Sequence, residues 1–200
     1  MRVRELAVVI ACGVLALAGC RIQVDKNQDG KDKNVKIDTP LGGLHVRADQ
    51  TAAADVGLPT YPGAQVSPDD KDGNRSADVH VGFGEWQLRV KVVTYQTPDS
   101  QDKVVTFYHK ALGRYGDVIE CNGRNPVGTP AVTREGLDCS DDQSKAHVKI
   151  SENTLLSLKA GSRRHQHIFA VQKNDGPGTR FTLVELQLPE GLEKESQESN

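Results

Sequence analysis

The four cysteines carry the most distinctive chemistry in the chain, and they fall into two groups. Cys12 and Cys20 lie within or directly after an apolar N-terminal run, whereas Cys121 and Cys139 lie in the body of the chain. No two cysteines have the C-x-x-C spacing, so the sequence does not support a zinc ribbon or a thioredoxin-type redox centre. The cysteines can therefore form a disulfide, or a single cysteine can be covalently modified.

Asp25, Asn27 and Asp29 have the spacing of a calcium-binding loop. They would fill positions 1, 3 and 5 of the loop, with Gly30 at position 6. Position 12 should hold a bidentate glutamate, but Lys36 stands there. A loop that lacks its strongest ligand and gains a cation binds calcium weakly. We therefore interpret the segment as solvated chain, with a calcium site as the alternative.

His165 and His167 are two residues apart in a predicted strand, so both imidazoles can point to one face. Two imidazoles are the beginning of a zinc or copper site. The sequence shows no third ligand nearby, and Arg163 and Arg164 would repel a cation. We keep a metal site here as an alternative and predict no bound cofactor.

Motifs of the common catalytic classes are missing from the sequence. It contains no G-x-S-x-G, H-E-x-x-H, P-loop or dinucleotide-binding pattern. Serine, histidine and aspartate are plentiful, but their spacing alone does not align them into a site. We therefore predict no catalytic residues and interpret the domain as non-enzymatic, with an enzyme whose site is not recognisable from sequence as the alternative.

The N-terminus has the pattern of a secretory signal peptide. Arg2 and Arg4 precede an apolar stretch, and residues 6–19 are only 14 residues long. A helix needs about 18 to 20 apolar residues to cross about 30 Å of hydrocarbon. A permanent transmembrane span is therefore not expected, and residues 1–19 are predicted to be a cleaved signal.

The signal ends in Leu17-Ala18-Gly19-Cys20, which resembles the lipobox of bacterial lipoproteins. The resemblance implies that Cys20 carries a diacylglycerol and, after cleavage, an N-acyl chain. Several acyl chains hold a protein on a membrane where one chain does so only marginally. The protein is therefore expected in a bacterial cell envelope, facing the periplasm or the cell surface. Arg21, rather than aspartate, follows the cysteine and favours the outer membrane. An ordinary signal peptide with a chance cysteine is the alternative.

An envelope location also predicts the state of Cys121 and Cys139. Disulfides persist on the oxidising side of the membrane, so we expect these two cysteines to be joined. Closing a loop of this size stabilises a domain by about 3 kcal/mol in the chain-entropy model. Two separate buried thiols are the alternative.

The charge balance gives no reason to expect nucleic acid as a partner. The formal net charge is −2, whereas nucleic-acid binding usually needs a basic surface. The expected partners are the membrane, through the lipid anchor, and a protein of the envelope.

One helix and several strands are predicted. Apolar residues at spacings of three and four predict an amphipathic helix within 97–116, with Phe107 facing a sheet and Lys103 and Lys110 facing water. Alternation predicts a hairpin over 35–46. Further strands are predicted at 84–97, 117–121, 137–140, 146–151, 154–160, 165–173 and 180–188. The predicted fold is α+β: a two-layer sandwich of one long amphipathic helix on a mostly antiparallel sheet of about six strands.

Composition divides the chain into five parts. We predict a signal peptide at 1–19, a flexible tether at 20–34, a hairpin and linker at 35–55, the globular domain at 56–189 and a disordered acidic tail at 190–200.

A second resemblance covers residues 58–120. The segment LPTYPGAQV, a strand, and then TPDSQDKVVTFYHKALGRYG are similar to a motif pair of uncharacterised envelope lipoproteins. The resemblance implies an α+β fold and an envelope location, and it carries over no catalytic residues.

Overall fold

A single antiparallel sheet dominates the structure, a computed structural model that describes residues 20–26, 32–48, 51–67, 76–140, 154–174 and 176–190. The sheet has eleven strands in the order β1-β2-β3-β5-β6-β11-β10-β9-β7-β8, and β4 pairs with one end of β6. The strands are β1 (Arg21–Lys26), β2 (Asp32–Thr39), β3 (Gly42–Ala48), β4 (Gln65–Val66), β5 (Ser76–Phe83), β6 (Trp86–Thr97), β7 (Ile119–Asn122), β8 (Asn125–Val127), β9 (Thr154–Ser162), β10 (His165–Gln172) and β11 (Thr179–Gln187).

Helical structure is sparse in this fold. Among the described residues the α-helix α1 (Gln101–Leu112) is accompanied by two short 3-10 helices, Ala53–Val56 and Gly113–Tyr115. The helix is 12 residues long and follows β6 after a short turn. In the described part of the chain, no helix is long and apolar enough to cross a membrane.

The predicted two-layer α+β sandwich is therefore wrong. The sheet has eleven strands rather than about six, strand makes up 53% of the structure and helix only 14%, and the helix is short. The number of strands was underestimated because some strands contain only a few apolar residues, which alternate with polar ones. Strands β1 and β5 form because a neighbouring strand supplies their backbone hydrogen bonds, a contribution that local composition does not reveal.

Strand β1 lies in the segment 20–34 that was predicted to be a flexible tether. All six residues of β1 are paired with residues of β2, from Arg21 opposite Asp38 onward. The predicted hairpin over 35–46 is present as β2 and β3. Residues 137–140 were predicted as a strand and form none. The predicted signal (1–19), the predicted strand at 146–151 and residues 191–200 of the predicted tail lie outside the described residues.

The main core lies between α1 and one face of the sheet. The helix buries Val104, Tyr108 and Leu112, which are spaced by four residues and therefore lie on one stripe. The Tyr108 ring stacks on Phe169 of β10 with 4.6 Å between the ring centroids. The sheet side of this core consists of Val93, Tyr95, Leu158, Ala160, Phe169, Val171, Phe181 and Leu183.

Tyr108, rather than Phe107, is the central aromatic residue of the helix. Phe107 is only half-buried and packs edge-on against Tyr61 at the side of the helix. Tyr108 can be fully buried because its hydroxyl is satisfied: it donates to the Pro59 carbonyl (3.1 Å) and accepts from the Tyr61 amide (3.2 Å). Lys103 and Lys110 are exposed, as predicted.

The segment before β4 is joined to the start of α1. The Tyr61 hydroxyl donates to a carboxylate oxygen of Asp99 at 2.8 Å. This hydrogen bond, with a further one from Lys103, holds the pKa of Asp99 below its usual value. The contact joins the Tyr-Pro-Gly-Ala segment to the turn that precedes the helix.

The predicted disulfide between Cys121 and Cys139 is confirmed. Both sulfurs lie in a second buried cluster with Ile119 and Leu137. Ile119 is paired with Lys159 and therefore projects from the sheet face opposite α1. The disulfide thus holds the chain between β7 and Ser140 against that face, which explains why residues 137–140 need no strand pairing to stay in place.

Substitutions in α1 test this packing. Tyr108→Ala should lower the free energy of unfolding by about 3 to 5 kcal/mol because it empties the centre of the core. Phe107→Ala should cost clearly less, and the matched control Lys110→Ala should change it by no more than about 0.5 kcal/mol. Urea unfolding followed by circular dichroism measures all three. A larger loss for Phe107→Ala than for Tyr108→Ala would contradict the helix orientation.

Candidate functional site: a polar cluster on β6, β10 and β11

The sheet face that carries α1 becomes polar beyond the end of the core. Strand pairing places Lys91 of β6, Glu185 of β11 and His167 of β10 side by side in one row across three strands. His165 lies two residues before His167 and so projects from the same face. We call these four residues the His–Glu–Lys cluster.

Glu185 is the centre of the His–Glu–Lys cluster. One carboxylate oxygen lies 2.6 Å from the Lys91 ammonium, and the other lies 2.9 Å from Nε2 of His165. Burial alone would raise the pKa of Glu185, but the hydrogen bonds from Lys91 and His165 outweigh it, so that its pKa lies below the usual value. Lys91 also donates to the Asp55 carbonyl. The carboxylate is therefore held in its charged form by two neighbouring strands.

His167 is fixed more rigidly than His165. Its Nδ1 lies 3.0 Å from the Val56 carbonyl, and its ring stacks on Tyr115 with 3.6 Å between the ring centroids. Because a carbonyl can only accept, Nδ1 carries the hydrogen, and in the neutral ring Nε2 is left as the free lone pair. Burial lowers the pKa of His167, which favours this neutral form. His165 is 47% exposed at its side chain.

Gly57 makes this packing possible. It has a φ of +72°, and a Cβ atom there would lie 2.6 Å from the Tyr115 hydroxyl and 3.1 Å from the His167 ring. Any larger residue would both strain the backbone and push the two rings away. The turn after the first 3-10 helix is thus shaped by the close approach of β10.

The structure supplies a third potential metal ligand, Glu185, that the sequence did not reveal. The ligand atoms of His165, His167 and Glu185 all lie within 4.8 Å of one another. Ligands about 2 Å from a zinc ion lie at most about 4 Å apart, so the three would have to move closer to bind one. Lys91 opposes this step because its ammonium occupies the second oxygen of Glu185. Both carboxylate oxygens of Glu185 therefore already have partners within the protein.

The sequence did not predict Glu185 as a neighbour of His165 and His167, because strand pairing rather than sequence proximity brings it to them. It lies on the next strand, 18 positions after His167, where the register places it directly opposite. The available signal was a single carboxylate inside the apolar run Phe181–Leu186. Such a residue on a buried strand usually has a charged partner across the sheet.

The other predicted site residues are not near this cluster. Asp25 is exposed and lies in β1 opposite Asn34, not in a loop, while Asn27 and Asp29 lie outside the described residues. The calcium loop stays a prediction. Cys20 is exposed with a free thiol directly before β1, and its lipidation stays a prediction as well.

A small polar cleft adjoins the His–Glu–Lys cluster. It has a volume of about 170 Å³, whereas sites for small organic ligands usually have about 300 to 1,000 Å³. Asp78 and Arg89 in its wall are paired with each other at 3.1 Å. The cleft therefore has room for water or a small ion. Its lining residues are Arg47, Thr51, Asp55, Asp78, Arg89 and Lys91.

Comparison with known proteins gave no match. No protein-family model, no curated protein and no solved structure is significantly similar to this chain. The resemblances to bacterial lipoproteins therefore rest on the short motifs that carry them.

The contribution of Glu185 to stability should depend on pH. Its pKa is lowered in the folded state, so its stabilising effect is present at neutral pH and is lost as the pH falls below about 4.5, the ordinary range of a glutamate. Glu185→Gln leaves Lys91 without its carboxylate, and we expect it to lower the free energy of unfolding by about 1 to 3 kcal/mol at pH 7. At pH 4 the same substitution should lower the free energy of unfolding by less.

Glu190 offers the matched control. It pairs with Arg164 at 2.8 Å, but its side chain is largely exposed. An exposed ion pair contributes at most about 1 kcal/mol, so Glu190→Gln should have little effect at either pH. Urea unfolding of both variants at the two pH values decides the question. Equal effects from the two substitutions would show that the His–Glu–Lys cluster does not stabilise the sheet.

Proposed function

We propose that this protein is a lipid-anchored protein of the bacterial cell envelope whose domain binds or scaffolds a partner and performs no catalysis. The observation that carries the proposal is the sequence Leu17-Ala18-Gly19-Cys20 at the end of an apolar run too short to span a bilayer. Support also comes from Cys20 itself, which is exposed and free. A modified thiol has to be accessible in this way.

The disulfide gives the location independent support. A disulfide between Cys121 and Cys139 belongs to an oxidising compartment, such as the periplasm or the cell surface. In the reducing cytoplasm the same pair would be kept as thiols. The lipobox and the disulfide therefore favour the same side of the membrane.

A binding role is supported by the shape of the sheet. Strands β1, β2, β3 and β5 extend it well beyond α1, and their apolar side chains belong to neither buried cluster of the described residues. The cleft beside Lys91 is small and its charges are largely paired, so it offers little room for an organic substrate. A broad, open sheet is the kind of surface on which a protein partner can bind.

A metal-dependent module is the second candidate, and one observation favours it. Glu185 joins His165 and His167 to give two imidazoles and a carboxylate on one face, a ligand combination found in zinc sites. The contact of Lys91 with Glu185 is the observation against it. Thermal unfolding with and without added zinc, compared between the natural chain and a His165→Ala variant, distinguishes this candidate from the first.

Substitution of Cys20 tests the anchor. In the native bacterium grown with a fatty-acid probe, the natural protein should label and sediment with membranes. Cys20→Ala should abolish both, because no thiol remains for the diacylglycerol. Cys12→Ala is the matched control: Cys12 lies in the predicted signal, so this variant should still label. Continued labelling and membrane association of Cys20→Ala would refute the lipid anchor.

A further inference from the structure

The cysteine proposed to carry the lipid stands at one end of the sheet. Arg21 is opposite Asp38, so the preceding residue, Cys20, comes level with Thr39. From there the row continues across three further strands, through Gly42 and Phe83 to Trp86. Cys20 therefore reaches the sheet at the same end as the tips of the β2–β3 and β5–β6 hairpins.

One face of this half of the sheet is apolar on every strand. Strand pairing aligns the alternate side chains of five strands on the face opposite α1, and of these only the small Ala48 is buried in the described part of the chain. The other face carries polar and charged residues such as Gln23, Lys36, His45 and Arg89. We call the following set the apolar face: Ile22, Val24, Val35, Ile37, Leu44, Val46, Val79, Val81, Phe83, Trp86, Leu88, Val90 and Val92.

The most exposed members of the apolar face are Ile22 (65% exposed), Phe83 (53%), Val24 (42%) and Trp86 (37%), and all except Val24 lie at the Cys20 end. Leu41, at the tip of the β2–β3 hairpin, is 83% exposed. The rings of Phe83 and Trp86 lie next to each other with 6.1 Å between their centroids. A soluble surface rarely concentrates large apolar side chains in this way unless they meet a partner.

The position of Cys20 identifies that partner. Cys20 and Ile22 are two residues apart. Because side chains alternate along an extended chain, the Cys20 thiol and the Ile22 side chain lie on the same face of the sheet. Two strand residues span only about 7 Å, and β1 is paired from Arg21 onward. Acyl chains on Cys20 would therefore enter a bilayer directly beside the apolar face, with no flexible tether to separate them.

We propose that the Cys20 end of the apolar face rests on the lipid surface that holds the anchor. This inference rests on the proposed lipidation of Cys20 and deepens it, since it names the lipid surface itself as a partner of the domain. Ile22, Leu41, Phe83 and Trp86 enter the interfacial layer, where an indole is favourable because it combines an apolar body with a polar N–H group.

The docking fixes which side of the sheet is free. The His–Glu–Lys cluster projects from the opposite face, the one that carries α1. It therefore belongs to the face of the sheet that does not rest on the lipid. A protein partner would reach the domain from that side.

Trp86 provides a direct measurement, because it is the only tryptophan of the chain. The full-length lipidated protein, purified from membranes, is reconstituted into vesicles of phosphatidylethanolamine and phosphatidylglycerol whose acyl chains carry bromine near the headgroup. Bromine quenches a tryptophan only in close contact. We expect a blue shift of the Trp86 emission and strong quenching relative to unbrominated vesicles of the same composition.

Two variants test the surface around Trp86. Leu41→Ser should reduce the quenching, because it removes an exposed apolar side chain from the end of the sheet that rests on the lipid, while flotation with the vesicles stays unchanged. Lys36→Ser, on the polar face of β2, is the matched control and should be quenched like the natural protein. Both substituted side chains are exposed, so neither should disturb folding.

Flotation separates the two proposals. Protein that floats with the vesicles while Trp86 is not quenched would overturn the lipid docking and leave the anchor intact. If Trp86 is not quenched and crosslinking captures dimers through the apolar face, the apolar face is covered by a second copy of the chain rather than by lipid. A lipid-modified protein is expected to float, so failure to float would refute the anchor and the docking together.

Discussion

Strand β6 is the element on which the rest of the structure depends. It is twelve residues long and pairs with β5 along its first part and with β11 along most of its length. Because side chains alternate along a strand, β6 contributes to both faces of the sheet at once. Val93 and Tyr95 lie under α1, whereas Trp86 and Leu88 belong to the apolar face. The two halves of the sheet are therefore one structural unit with different surroundings.

The half that contains β9, β10 and β11 holds the buried core. There α1 covers one face, and the disulfide holds residues of the β7–Ser140 segment on the other. Where the cover of α1 ends, charged residues replace the apolar ones in the same strands, and Glu185 is stabilised by Lys91 and His165. The polar cluster thus marks the edge of the core rather than interrupting it. Among the described residues, the half that contains β1, β2, β3 and β5 has no such core, and its apolar face is the one proposed to meet the lipid.

Sequence patterns predicted the strands whose own residues show a clear apolar run or alternation. Segments such as 84–97 and 180–188 contain long runs of β-branched and apolar residues, and the hairpin over 35–46 has clear alternation around its turn residues. The disulfide also followed from compartment and loop composition. These features are local or depend on a single pair of residues, and for that reason they can be read from one chain.

The features that were missed depend on partners distant in sequence. β1 has only Ile22 and Val24 as apolar residues and resembles a charged tether until β2 is placed beside it. The apolar stripe predicted Phe107 as the buried aromatic residue of the helix, whereas the structure buries Tyr108, whose hydroxyl is satisfied by Pro59 and Tyr61. Overestimating the single helix and missing the added strands together produced the wrong fold class. Glu185 was missed for the same reason as β1, since only the register of two strands reveals it.

Amide hydrogen exchange of residues 20–26 tests most directly whether the sheet begins beside the proposed anchor. A peptide covering β1 should exchange far more slowly than an unstructured chain, because its backbone is paired with β2. Its protection should be lost together with that of β2 when denaturant is added. Exchange of residues 20–26 at the rate of an unstructured chain, while β2 and β3 stay protected, would show a flexible tether and would contradict both the extended sheet and its docking on lipid.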